Sequence, residues 1–242
     1  MRSPEKALAA RTGRPAPSRP PATVARPEAL ARGRSLGGFV AAGLAGFGGV
    51  FAVVRLDPSA RLDVALTRTF QRLRDPRLRR AMSVASWPGF PPQSRVIPLG
   101  IIGGWLAVGL PAEAACQALA AGSSAIASLM KFVARRPRPL SSQVTVAIAP
   151  LSGTSFPSGH VLSYVGTYGV LAYLLAARIR PAGLRLALVS VPVSLVALVG
   201  PSRIYQGHHW ATDVLASYLL GMSYVALVAA VYRRWLAERP GA

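Results

Sequence analysis

Six apolar runs constrain this chain more than any other feature: Leu36 to Val54, Val96 to Leu110, Ala114 to Met130, Val161 to Ala177, Leu186 to Gly200 and Val214 to Tyr232. In lipid each backbone N–H and C=O must be satisfied within its own segment, so runs of this kind fold as helices. Crossing a bilayer takes about 20 apolar residues. The first and last runs meet that length with ease. The second and fifth are short, and Pro192 is expected to kink the fifth. The second and third are joined by Pro111-Ala112-Glu113, which reads as a tight helical hairpin. The expected fold is all-α, an integral membrane bundle of six transmembrane helices. Composition agrees: 52% of the 242 residues are hydrophobic and 15% charged, against about 25% charged in a soluble domain.

The formal net charge of +20 would ordinarily raise nucleic acid as a partner. The basic residues, however, sit in the N-terminal tail and at the ends of apolar runs, where topology and anionic headgroups account for them. Nucleic acid is therefore excluded as the partner, in favour of the bilayer. Residues 1–34, rich in Arg, Pro and Ala, read as a disordered basic tail, and residues 35–242 as the membrane domain. The 28 Lys and Arg residues divide equally between the two sides that six crossings would create, so charge gives no orientation. Cys116 is the lone cysteine, so the chain has no internal disulfide. Between the first two runs, Leu62, Leu66, Phe70 and Leu73 recur at helical spacing, with Arg61, Arg68, Arg72 and Arg74 on other faces and Pro76 ending the pattern. This predicts an amphipathic helix at the membrane interface.

Three polar clusters interrupt the apolar chain: Lys131 to Pro139 after the third run, Phe156 to His160 before the fourth, and Ser202 to Asp213 between the fifth and sixth. If each run crosses once, counting puts all three on one membrane face. Their chemistry is complementary. Lys131, Arg138 and Arg203 supply cations matched to phosphate oxygens. Ser158 and Gly159 open a helix, where unbonded N–H groups and the dipole favour an anion. His209 and Asp213, four residues apart, would share a helix face, so the carboxylate can fix the imidazole tautomer and leave the other nitrogen to attack. His160, from another run, can protonate a departing alkoxide. Three cations can stabilise a phosphoryl transfer without metal, although His-x-x-x-Asp is also a spacing that binds metal. His208, about 100° from His209 on a helix, receives no catalytic role. Arg135 and Arg136 fit headgroup contact, structure or topology equally.

These motifs resemble the type 2 phosphatidic acid phosphatase superfamily, whose pattern is Lys-x6-Arg-Pro, Pro-Ser-Gly-His and Ser-Arg-x5-His-x3-Asp. Lys131, Arg138 and Pro139, then Pro157 to His160, then Ser202, Arg203, His209 and Asp213 complete it in order. The resemblance covers roughly residues 35 to 235. It implies a metal-independent reaction, with no cofactor, through a phosphohistidine on His209. It further implies His160 as general acid and Lys131, Arg138, Ser158, Gly159 and Arg203 as phosphate ligands. The implied substrates are phosphatidic acid, phosphatidylglycerol phosphate or a polyprenyl phosphate or diphosphate. The resemblance also places the protein in the plasma (inner) membrane with cytoplasmic termini and the site on the extracytoplasmic face. Other readings are a phosphotransferase using the same histidine, a vanadate-holding haloperoxidase, and a membrane transporter or lipid-binding protein.

Overall fold

The structure, a computed structural model, describes residues 26–56, 60–147 and 153–238. The chain divides into two units, Met1–Gly37 and Gly38–Ala242. In the first, the described residues are already helical from Arg26, within the stretch expected as a disordered tail. The rest of that tail lies outside the described residues.

The described residues form helices and no strands: α1 (Arg26–Arg55), α2 (Ala60–Gln71), α3 (Pro76–Ser86), a 3-10 turn (Trp87–Gly89), α4 (Gln93–Ala107), α5 (Pro111–Ala121), α6 (Ser123–Ala134), α7 (Gly159–Arg178), α8 (Ala182–Tyr205) and α9 (Ala211–Ala237). Five stretches are long and apolar enough to cross a membrane: Ser35–Arg55, Pro111–Ala134, Gly159–Arg178, Ala182–Tyr205 and Ala211–Ala237. The protein is an all-helical integral membrane protein. The second apolar run becomes α4, whose 15 residues rise about 22 Å, less than the roughly 30 Å of a hydrocarbon core.

Local signals moved several boundaries. Proline lacks the N–H that a helix leaves unbonded in its first turn, so it suits that turn. Pro111 accordingly starts α5. The hairpin connection is Val108-Gly109-Leu110, and Glu113 lies inside the helix. There Glu113, 1% exposed, accepts from Tyr232 Oη at 2.5 Å and pairs with Arg178, tying α5 to α7 and α9. Pro76 likewise opens α3, with the Asp75 carboxylate accepting the Arg77 N–H at 2.6 Å. Helix α8 runs through Pro192 and Pro201 without a break.

Helix α7 is the central post. Half of its apolar window is buried, against 11% for Ser35–Arg55 and 17% for α8. Val161, Leu162, Val165, Val170 and Leu174 are fully enclosed. A π turn at Val165–Gly169 disrupts the normal i to i−4 bonding, and the Thr167 carbonyl there accepts the Gln117 Nε2–H at 2.8 Å. Gly166 faces the joint between α5 and α6. The outer surfaces expose Leu186, Val191, Val193, Leu215, Leu227 and Val231, which suits contact with lipid.

Helix α2 forms as the apolar spacing predicted, but its buried side is polar. Asp63 and Thr67 have no exposed surface, while Leu62, Leu66 and Phe70 point outward. An apolar face turned out beside Arg61, Arg68 and Arg72 matches the interfacial reading.

A β-carbon on Gly166 would stand 2.3 Å from Ser123 Oγ and 2.6 Å from the Ala120 carbonyl, and the backbone oxygen cannot rotate aside. Overpacking of this kind costs about 1–3 kcal/mol. Gly166→Ala should therefore lower the apparent Tm of the detergent-solubilised protein by several degrees; an unchanged Tm would contradict this packing.

Candidate active site

The three polar clusters converge at one end of the bundle. The first ends α6, where Arg135 takes a left-handed conformation (φ 48°) and turns the chain so that Arg136 and Arg138 point back inward. The second opens α7. The third spans the last turn of α8, a loop and the start of α9. Gly207 makes that loop possible. Its φ of +67° is one that side chains rarely adopt, and a β-carbon there would stand 2.2 Å from the Thr145 carbonyl.

His209 is 2% exposed. Its Nδ1 lies 2.7 Å from the Ser155 carbonyl. A carbonyl can only accept, so Nδ1 carries the proton and Nε2 holds the lone pair. Arg138 Nη1 approaches that Nε2 at 3.4 Å and donates to the His208 carbonyl at 2.8 Å. The partner of the ring differs from the one the spacing suggested. The chain at His209 is not yet helical, because α9 starts at Ala211 with Trp210 as its cap. Asp213 is thus the third residue of the helix, and its Oδ2 accepts the Trp210 N–H at 2.9 Å. That oxygen lies 3.6 Å from His209 Nδ1, beyond hydrogen-bond range but close enough to stabilise a charged ring.

Arg203 is 2% exposed, and the groups that hold it carry no negative charge. Nη1 donates to Ser86 Oγ and to Gln206 Oε1 at 2.9 Å; Nη2 donates to His208 Nδ1. The guanidinium carbon sits 5.0 Å from the Phe90 ring centroid. Arg203 Nε and His208 Nε2 are both buried without a hydrogen-bond partner. Because His208 accepts from Arg203 through Nδ1, its own proton is on Nε2. His208 therefore holds Arg203 in place, a role that its position beside His209 did not reveal.

His160 opens α7. Its Nε2 is buried without a partner, and its ring meets Phe90 edge-on at 4.8 Å. Lys131 Nζ lies 3.4 Å from where a β-carbon on Gly159 would stand, so the ammonium sits against the first turn of α7. The N–H groups of Gly159 and His160 are those a helix start leaves unbonded internally. Ser158 serves first as the cap: its Oγ faces the Val161 N–H at 3.5 Å, and its own N–H donates to Ser217 Oγ at 2.8 Å. The structure thus brings Lys131, Arg138, Ser158, Gly159, His160, Arg203, His209 and Asp213 together, with Ser158, Arg203, His209 and Asp213 buried and the other four half-buried. Such a set can grip a tetrahedral anion, offer it an imidazole lone pair and supply a proton.

The sequence did not disclose the contribution of the connection between α1 and α4. Ser86 and Phe90 hold Arg203, Gly89 packs on the His160 ring, and the Ala85 carbonyl accepts Tyr164 Oη at 2.8 Å. Asp63 and Arg136 form a buried ion pair at 2.6 Å beside Asp213. Asp63 is one of three aspartates in this mainly basic connection, with Asp57 and Asp75, and nothing in the sequence singles it out.

Burial, followed by the neighbouring Arg203 guanidinium, brings His208 down to about 3. Burial and the cations Arg138, Arg203 and Lys131 hold His209 well below the ordinary imidazole value. Below about pH 6.5 the unfolded chain therefore binds protons that the folded chain refuses, and each such group costs up to about 1.4 kcal/mol of stability per pH unit. The apparent Tm should be highest near neutrality and fall as pH drops from 6.5 towards 3. A Tm that holds or rises on acidification would contradict this charge arrangement.

The PAP2 superfamily description matches residues 113–237, just over half of the chain. Phosphatidylglycerophosphatase B of Bacillus subtilis (strain 168) is 39% identical over 84 residues, 33% of this chain and 41% of that protein. Decaprenylphosphoryl-5-phosphoribose phosphatase of Mycobacterium tuberculosis (strain ATCC 25618 / H37Rv) is 36% identical over 107 residues, 44% of this chain and 54% of that protein. The chain thus spans about half the length of these relatives. Among solved structures, the first transmembrane PAP2 type phosphatidylglycerolphosphate phosphatase from Bacillus subtilis gives a TM-score of 0.71 at 24% identity, covering 83% of this chain and 98% of that one. Aquifex aeolicus LpxE gives 0.55 at 19%, covering 72% and 95%; likenesses at such identities speak to the fold. With the matched region taking in all three polar clusters, the chain belongs to the PAP2 superfamily.

Proposed function

We propose that this protein is a membrane lipid phosphatase that removes phosphate from a lipid phosphomonoester or diphosphate through a phosphohistidine on His209. The observation that carries the reading is the state of His209. Its Nδ1 is committed to the Ser155 carbonyl, and its Nε2 lone pair is left beside Arg138, within reach of the cations of the site. The names of the relatives, a phosphatidylglycerophosphatase and a decaprenylphosphoryl-phosphoribose phosphatase, support a lipid substrate whose phosphate sits at the membrane interface.

In this mechanism Lys131, Arg138, Arg203 and the first-turn N–H groups of α7 hold the phosphate and take up charge in the transition state. His209 Nε2 attacks phosphorus, and the bond from phosphorus to the lipid oxygen breaks. His160 gives its proton to that oxygen. Asp213, 3.6 Å from the ring, steadies the charge that His209 gains. Water then attacks the phosphohistidine, His160 takes the water's proton, and inorganic phosphate leaves with His209 restored. We further propose that α4 makes a sixth crossing and that the site faces the extracytoplasmic side. The substrate class is phosphatidic acid, phosphatidylglycerol phosphate or a polyprenyl phosphate or diphosphate.

Purified protein should release phosphate from at least one lipid in such a panel, and His209→Ala should abolish release while leaving membrane insertion intact; full activity in that variant would defeat the mechanism. Release should persist in chelator, whereas its loss there would point to a metal site. A β-carbon on Gly89 would lie 2.3 Å from His160 Cδ2 and 2.9 Å from Nε2, so Gly89→Ala should displace the proton donor. That variant should lose about 100-fold or more in kcat, as for loss of a general acid, with KM little changed. Because the lone pair on His209 persists until pH falls through its depressed value, the acid limb of kcat/KM should lie below pH 6.5. A limb at or above 6.5 would show a ring that titrates normally.

A further inference from the structure

We propose that Asp63 and Arg136 are positioning residues for the nucleophile, forming a buried Asp63–Arg136–Asp213 bridge that ties the amphipathic helix α2 to the start of α9 and sets the charge facing His209. The proposal rests on the reading of His209 as nucleophile and deepens it.

Helix α2 inverts the usual economy of a surface helix, which turns its apolar stripe inward. Its leucines point outward while Asp63 is completely enclosed. A buried carboxylate persists only when paired and hydrogen-bonded, and this one is well supplied. Asp63 Oδ2 accepts from Arg136 Nη2 at 2.6 Å and from Thr212 Oγ1 at 2.7 Å; Oδ1 accepts the Thr212 N–H at 3.0 Å. Arg136, 9% exposed, reaches the other way. Its Nη1 donates to Asp213 Oδ1 at 2.5 Å and to Thr212 Oγ1 at 2.8 Å, and its guanidinium carbon lies 5.9 Å from the Trp210 ring.

Asp213 is therefore fixed from both ends. One oxygen is held by Arg136, and the other caps α9 and stands 3.6 Å from His209 Nδ1. Helix α2 is itself anchored to the loops around the site. Gln71 bridges the N–H and carbonyl of Thr145 at 3.0 and 2.7 Å, and Arg68 Nε donates to the Gln143 carbonyl at 2.9 Å. Movement of α2 would thus be felt at Asp213.

The charges give the bridge a signature that a merely structural role lacks. The His209–Asp213 pair is faced by Lys131, Arg136 and Arg138 from α6 and the chain after it, by Arg203 and His208 from α8 and its loop, and by His160 from α7. Asp63, from α2, stands behind Arg136. Removing the Arg136 cation should make the pair hold a proton more tightly. Neutralising Asp63 leaves Arg136 uncompensated, and the pair should hold it less tightly. The two substitutions displace the same titration in opposite directions.

The test compares the purified full chain with Asp63→Asn, Arg136→Gln and the double variant, reading phosphate release and imidazole nitrogen NMR; with three histidines in the chain, the His209 signal is identified by its loss in His209→Ala. Positioning losses of about 10–100-fold should fall on kcat, with KM and inhibition by inorganic phosphate within about twofold. The acid limb of kcat/KM and the His209 titration should move down in pH for Asp63→Asn and up for Arg136→Gln. If Arg136→Gln does not fold, Asp63→Asn, almost identical in shape, decides by itself. Unchanged titration and kcat, or displacement of both variants in one direction, would overturn the bridge. The function reading stands or falls separately on wild type against His209→Ala, and the NMR comparison judges the bridge even if no lipid is turned over.

Discussion

A charge withdrawn from water costs several kcal/mol unless its surroundings answer it, and that constraint organises the polar end of this bundle. The answers differ from residue to residue. Arg136 is answered by two carboxylates, Asp63 and Asp213, and is thereby closed to a ligand. Arg203 is steadied by a hydroxyl, an amide, an imidazole and the face of Phe90, none of which offsets its charge. The difference separates a cation whose charge is neutralised by its neighbours from one whose charge is left uncompensated. It also explains why so many neutral groups crowd around Arg203: they fix its geometry without consuming its field.

The bundle can keep such a site because its two ends are built differently from its middle. The first half of helix α7 is enclosed, with Val161, Leu162 and Val165 fully buried, so its first turn stays fixed against Lys131. At the other end of the spans, the Glu113, Arg178 and Tyr232 cluster joins α5, α7 and α9. Polar bonding therefore pins the helices that carry the site at both extremities, and apolar packing joins them between.

Much of this was legible in the sequence. Long apolar runs permit little besides helices, and the three motifs named the residues that come together. What could not be read was local and relational. Proline marks helix starts as well as ends, so Pro111 opens α5 rather than joining two helices, and Pro76 both follows the end of α2 and opens α3. The His209–Asp213 spacing implied a helical face, but the helix starts at Ala211 with Trp210 as its cap, which gives Asp213 a capping role. The forty residues between the first two runs read as an interfacial helix with no part in the site. Asp63, Ser86, Gly89 and Phe90 reach the site only through packing, and no periodicity records which face of α2 turns inward. His208 was set aside on angle alone, yet in a loop that angle does not apply.

The bond that fixes the tautomer of His209 has a further consequence. Its acceptor is the main-chain carbonyl of Ser155, a group that every amino acid possesses. A substitution at residue 155 leaves that oxygen in the chain, and reaches the ring only by disturbing the buried Ser155 side chain that helps place it. The ring depends instead on the course of the main chain. That course is pinned where Ser155 meets the stretch after α6: its N–H donates to the Arg136 carbonyl at 2.8 Å and its Oγ to the Pro137 carbonyl at 3.0 Å. The route of the backbone, together with the side chains that pin it, is what sets the tautomer of His209.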